Sequence, residues 1–338
     1  MATQVLLTID TELTWRHFAA GADWRENFDL SCQPCGVGIS YQLEMLRRHG
    51  LKACFFVDPM PALVYGLEPI QRMVAPILEA GQEVQLHLHS FWHDLAGGRQ
   101  ETARFELTAF NPWEQHALIE TALALLVDAG APTPIAFRSG SYAADVTTLS
   151  ALAELDLRYD SSHSGAEHPW PSALPFDPAL IDPIESHGVV EVPISQISCP
   201  DGGLRPLQLC ALSASEMQAA LRHADRGNHQ VTTIVSHSFE LAARDGKRIN
   251  RLVRGRFDGL CAFLDAHRAT MPTTTFAALP RTLGAPLAVP LPPDRARIAW
   301  RMAQQAWGRI RYEQPTIAAG IAAAPPLIAL AGMAAYAD

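Results

Sequence analysis

A basic field, a phosphate loop and a second thiolate pair are all missing from this 338-residue chain, and each absence removes a class of function. Lys and Arg together number 26 against 35 Asp and Glu, a net charge of −9. No field exists to drive general binding to nucleic acid or to an anionic membrane. No glycine-rich loop follows the first apolar run, which argues against a nucleotide site there. Cys32-Gln-Pro-Cys35 is the only close pair among six cysteines, with no second CxxC to complete a four-thiolate zinc site. The pair reads as reduced thiols near a helix start, and the other four as small apolar residues of a reduced compartment. The chain opens almost directly on VLLTID, without a charged n-region, apolar h-region or cleavage site, so a cytoplasmic location is expected. The apolar run 317–336 is interrupted by Pro325-Pro326 and dominated by Gly and Ala, too broken for a spanning helix. A packed tail, a partner-docking segment and a loose membrane contact all stay open for it.

What is present is a core-forming α/β pattern organised around residues 82–94, QEVQLHLHSFWHD. Side chains alternate along an extended segment, so Val84, Leu86 and Leu88 share one face while Gln85, His87 and His89 share the other. The two imidazoles then sit about 7 Å apart along the strand, close enough to converge on one ion beyond its end. His93, four residues after His89, returns to that side if the chain coils there. Imidazole suits Zn, Co, Ni or Fe, and a carboxylate usually completes such a site.

Along the chain, short apolar runs at 5–9, 52–57, the start of 82–94, 135–138, 157–160, 189–193, 231–235 and 273–276 alternate with amphipathic stretches. Helices are expected at 40–49, 68–80, 112–129, 146–155, 215–226 and 250–267, several closed by Gly or opened by Pro. Residues 13–35 and 165–187 read as loops. This alternation predicts a mainly parallel sheet with right-handed crossovers, a barrel or an open doubly wound sheet. Asp10 with Glu12, His87 with His89, Arg138, Asp160 and His237 all fall at C-terminal strand ends, where barrels carry their active sites. Residues 1–283 are expected to form the barrel. Residues 284–338, rich in Pro and Ala, are expected to form an appendage with an Arg- and Trp-bearing helix near 294–312.

Taken in order, the motifs resemble those of the polysaccharide deacetylase (NodB-homology) family of carbohydrate esterases. TIDTE at 8–12 is similar to its first motif, HSFWH at 89–93 to its second and RSGSY at 138–142 to its third. DSS at 160–162 and SHSFE at 236–240 are similar to parts of the fourth and fifth, and KACFFV at 52–57 to the second strand. The resemblance covers roughly residues 5 to 280. It implies a distorted (β/α) barrel that holds one divalent ion, Zn before Co, Ni or Fe, and removes N- or O-acyl groups from sugars. The common first motif has adjacent aspartates, whereas Thr11 stands in the second place here. An acid-x-acid version fits Asp10-Thr11-Glu12, with Asp10 as base and Glu12 as ligand. His89 and His93 have the literal H-S-x-x-H spacing, but an ungapped match of GQEVQLH puts His87 first. His89 is thus the firmest ligand, with His87 and His93 competing for the second place.

These residues support amide hydrolysis. A divalent ion supplies an activated water and a polarised carbonyl. Asp10 accepts the water's proton and His237 protonates the leaving amine. Arg138 is expected to orient Asp10, or Asp160 to hold His237, with a structural Arg138–Asp160 ion pair as the rival reading. The main-chain N–H near Tyr142 is a candidate oxyanion donor. Trp15, Trp24, Phe91 and Trp92 are candidate sugar platforms. The substrate implied is a saccharide or glycoconjugate; a non-sugar amide on the same barrel, and a glycan-binding protein with a degenerate site, are the alternatives.

Overall fold

Runs of Val, Leu, Ile and Phe make the strands, and Gly or Asn turns and side-chain caps separate them from helices. The computed structural model describes residues 2–280, 284–285 and 287–313. The strands are β1 (Gln4–Thr11), β2 (Cys54–Val57), β3 (Glu83–Leu88), β4 (Ala136–Ser139), β5 (Tyr159–Asp160), β6 (Ile184–Ser186), β7 (Val189–Glu191), β8 (Gln196–Ser198), β9 (Leu204–Pro206), β10 (Val231–His237) and β11 (Thr273–Thr274). The helices are α1 (Trp15–Ala19), α2 (Trp24–Ser31), α3 (Ile39–His49), α4 (Ala62–Tyr65), α5 (Glu68–Glu79), α6 (Phe91–Ala96), α7 (Pro112–Asp128), α8 (Val146–Glu154), α9 (Ala214–Gly227), α10 (Arg251–Ala266) and α11 (Arg295–Gly308). Capping boxes open α7 at Asn111/Glu114 and α9 at Ser213/Glu216, and Gly50 closes α3 in the left-handed region.

The main sheet runs β10-β1-β2-β3-β4-β5-β7-β6, with β11 also on β1. All of its neighbours pair in parallel except β6 with β7. The sheet curls as a half-barrel. Irregular chain after β7 reaches back to β10, where Ser195 N–H donates to Thr233 O (3.2 Å) and Leu209 N–H to Val235 O (2.9 Å).

Period-two alternation gives the sheet two apolar sides. Val5, Leu7, Ile9, Phe55, Val84, Leu86, Phe137 and Ile234 join the large core against the helices. Leu6, Cys54, Phe56, Ala136, Tyr159 and Val231 pack with Phe276 inside the curl. Asp10, His87, Arg138 and His237 continue that inner set at the upper strand ends, so the fold points all four into one mouth.

Two stretches read as loops are ordered differently. Residues 13–35 hold α1 and α2, because Asp23 caps α2 through Arg25 and Glu26 N–H, and Asn27 with Ser31 grip the backbone of Thr14. Within 165–187, β6 folds back antiparallel onto β7 through a turn with His187 and Gly188 at positive φ.

Candidate active site

Glu12, one residue beyond β1, meets His87 near the end of β3 and His89 just after it. One ligand atom from each lies within 4.8 Å of the others. Glu12 Oε2 is 3.3 Å from His87 Nε2 and in direct contact with His89 Nε2. Four donors around an ion with bonds of about 2.1 Å are spaced about 3.4 Å apart, so this spacing suits a divalent cation. Glu12 Oε2 is buried and no conventional hydrogen bond satisfies it among the described residues. A carbonyl can only accept, so the 2.8 Å contact of His87 Nδ1 with Arg138 O puts the proton on Nδ1 and leaves the Nε2 lone pair facing the site. Two imidazole nitrogens and a carboxylate therefore form a donor set that fits Zn, Co, Ni or Fe.

The electrostatics agree. Burial opposes charge on His89, yet the Glu12 carboxylate beside it lifts its pKa to about 9. Burial likewise opposes charge on Glu12, but His89 and His87 hold its carboxyl well below the usual range. A proton and a cation thus compete for one space.

Across the mouth, Arg138 reaches through the inside of the curl. Its Nη1 donates to Asp10 Oδ1 (2.6 Å) and Thr8 Oγ1 (2.9 Å), its Nη2 to Ser161 Oγ (3.1 Å) and its Nε to Ser161 O (3.2 Å). Arg138 is fully buried, so the Asp10 carboxylate is its charge partner and the two are fixed as a unit. His237 is the register partner of Asp10, with Nε2 3.8 Å from Asp10 Oδ2. Its Nδ1 lies 3.0 Å from Glu240 Oε1, which also accepts from Gln208 Nε2 (2.9 Å). Burial works against the imidazolium, but Glu240 first, then Asp10 and Glu12, raise the His237 pKa to about 9.

Several expected site residues lie elsewhere. His93 falls on α6, which starts two residues after His89, and its ring faces Phe110 at 6.3 Å between centroids, outside the Glu12 cluster. Helical rotation, not the literal motif spacing, decides that side, and the geometry pairs His87 with His89. Asp160 does not hold His237. It is the register partner of Phe137 and Glu191 on the helix side of the sheet, where Ser162 Oγ donates to it (2.6 Å). Burial raises Asp160, although its contact with Glu191 lowers it, whereas burial and the facing Asp160 carboxylate both push Glu191 well above the usual range, so Glu191 is the partner that holds the proton. Trp92 is fully buried against Phe18, Tyr65 and Phe91, which removes it as a sugar platform. Trp24 lies under the guanidinium groups of Arg25 and Arg72. Trp15 packs edge-on against Phe91, whose ring stands 5.5 Å from that of His89, so these two form an aromatic wall beside the histidines. Tyr142 is buried, and it and Ser141 both take positive φ.

Three contributors had no role in the sequence reading. Glu240, inside the SHSFE motif, is the partner of His237. Asp58 ends the β2 segment; Oδ1 accepts from Met60 N–H (3.0 Å), and burial pushes its pKa up to about 6 although His89 and His87 pull it down. Its position at a C-terminal strand end was the available signal. Gly140 is the third, since a Cβ there would stand 2.5 Å from His89 Nδ1.

No family model matches the sequence, and no curated protein does. Among solved structures, a Mycobacterium smegmatis protein described provisionally as a polysaccharide deacetylase aligns over 85% of this chain and 96% of its own, with 19% identity and a TM-score of 0.54. A family 4 carbohydrate esterase from Streptomyces lividans, solved in complex with acetate, aligns over 86% of this chain and 98% of its own, with 13% identity and a TM-score of 0.41. The first likeness establishes the fold: the chain has the distorted (β/α) barrel of the NodB type.

Proposed function

We propose that this protein is a metal-dependent hydrolase that removes an N-acyl group, acetyl foremost, from a saccharide or glycoconjugate. The observation that carries the reading is one mouth in which the Glu12, His87 and His89 donors face an Arg138-held Asp10 and a Glu240-held His237. The barrel shared with the M. smegmatis structure supports the sugar substrate. Glu12, His87 and His89 would hold the ion, which when bound polarises the scissile carbonyl and acidifies water.

The residues of the chain supply the rest. Asp10, locked at Oδ1 by Arg138, takes the proton of the attacking water as the C–O bond forms. His237, kept protonated at neutral pH by Glu240, donates its proton to the nitrogen as the C–N bond breaks. Amide and water thus become a free amine and a carboxylic acid, and proton transfer through solvent returns Asp10 to its carboxylate and His237 to its charged form. The main-chain N–H of Tyr142 is assigned to the oxyanion, and Trp15 with Phe91 to one wall of the sugar site.

Acetate release from N-acetylated monosaccharides and oligosaccharides, with added Zn, Co or Ni and with chelator, tests this. Chelator-sensitive release from at least one sugar is expected. Metal-loaded protein that releases acetate only from non-sugar amides would remove the saccharide from the reading.

A further inference from the structure

Helix α11 is mounted inside out. Its polar side faces the barrel: Arg301 Nε pairs with Glu216 Oε1 at 3.0 Å, both side chains under a tenth exposed, and Gln304 accepts from Arg256 Nη2 at 2.9 Å. Arg256 also donates to Leu209 O (3.2 Å) and Cys210 O (2.9 Å), which ties the helix to the β10 side of the barrel. Its apolar side faces outward. Trp300 (57%), Met302 (60%), Trp307 (61%) and Ile310 (65%) are exposed, with Ala296, Ala299, Ala303 and Ala306 between them. At 3.6 residues per turn the seven on α11 cover one arc of about 160°, and Ile310 follows in the π-helical turn Arg309–Glu313. An ordinary surface helix does the reverse, and several large exposed side chains on one face mark a surface that is covered in use.

The charge pattern identifies what covers it. Residues 295–311 contain five arginines, 295, 297, 301, 309 and 311, and no Asp, Glu or Lys, in a chain of net charge −9. Arg297 pairs with Asp294 and Arg301 with Glu216, and Arg295 and Arg311 lie exposed near the two ends of the helical segment. Two indoles flanked by guanidinium groups suit the boundary between acyl chains and anionic headgroups. A second copy of this chain is a poor fit, because an isologous contact would set the arginines of two helices against each other. The sequence beyond the helix continues without a charged residue from 314 to 337.

We infer that the outward face of α11 docks the protein on an anionic lipid bilayer, through Trp300, Trp307 and Ile310 and the flanking arginines. The acidic whole thus carries a local cationic, apolar membrane contact. Flotation of the full chain with vesicles of phosphatidylcholine, or of phosphatidylcholine with 30% phosphatidylglycerol, tests it. Binding to the anionic vesicles is expected, at least tenfold weaker on neutral ones and weakened by salt. Trp300→Gln with Trp307→Gln should lower anionic-vesicle binding at least tenfold, with an unchanged circular dichroism melt. No binding by the full chain would overturn the inference and leave the face to the chain's own tail. Equal binding by the double variant, or a concentration-dependent dimer that the variant abolishes, would overturn it as well.

Discussion

His237 stands between two carboxylates, and their balance decides when it carries a proton. Its pKa is raised from 6.5 to about 9, so the charged acid form persists through neutral pH and is lost as pH rises through about 9. The stability it adds follows the same sign, full below about 6.5 and gone above the raised value. The alkaline limb of kcat/KM is therefore expected near 9. Glu240→Gln removes the largest charge that raises it and should move that limb down by about 1 to 2 units; a limb that stays put would assign the acid elsewhere. Asp10→Asn should cost about 10²- to 10⁴-fold in turnover while metal content stays at the wild-type level. Metal loss in that variant would mean that Asp10, not Glu12, is the ligand. Trp92→Ala distinguishes core from platform. The fully buried ring predicts a loss of about 3–5 kcal/mol in stability, read as a lower denaturation midpoint, with KM for the sugar unchanged in the folded fraction.

At the scale of the element, strand parity explains both what the sequence revealed and what it hid. Alternation alone put His87 and His89 on one face and Val84, Leu86 and Leu88 on the other, as the structure has them. The same rule, applied across the sheet, would have sent Asp160 outward with Phe137. Its short strand, two residues long, gave too little alternation to show that. His93 was illegible for another reason, because its side depends on where α6 begins rather than on spacing. The helices in 13–35 rest on caps and on Asn27 and Ser31 contacts to Thr14, which leave little periodic signal. Asp58 was hidden because His87 and His89, about thirty residues on, give it its setting, whereas Glu240 lies three residues after its partner His237 and only the turn that follows β10 brings the two side chains together. Gly140, by contrast, makes a sharp local demand. Gly140→Ala puts a methyl into the His89 ring and should weaken metal affinity at least about tenfold, as loss of orienting contacts does; isothermal titration with Zn measures it.

On the scale of the molecule, the curl of the sheet converts residues 12, 87 and 237, far apart in the chain, into neighbours at one mouth. Parallel topology and the clustering of polar groups at strand ends were visible in the sequence; the closure through 192–209 was not, since the short strands β8 and β9 within it pair with each other and only irregular chain reaches β10. Because Glu12 raises His89 to about 9, the ion must displace a proton. Metal affinity should accordingly climb with pH, about tenfold per unit, and level off near 9; a flat profile from pH 6 to 9 would show that no proton is exchanged.

The most direct measurement is the metal content of the protein and its histidine variants, purified without chelator and loaded with one divalent metal. One equivalent per chain is expected in the wild type and in His93→Ala, with sharp loss in His87→Ala and His89→Ala. A full equivalent in the His87→Ala/His89→Ala double variant, or its loss in His93→Ala alone, would contradict the site described.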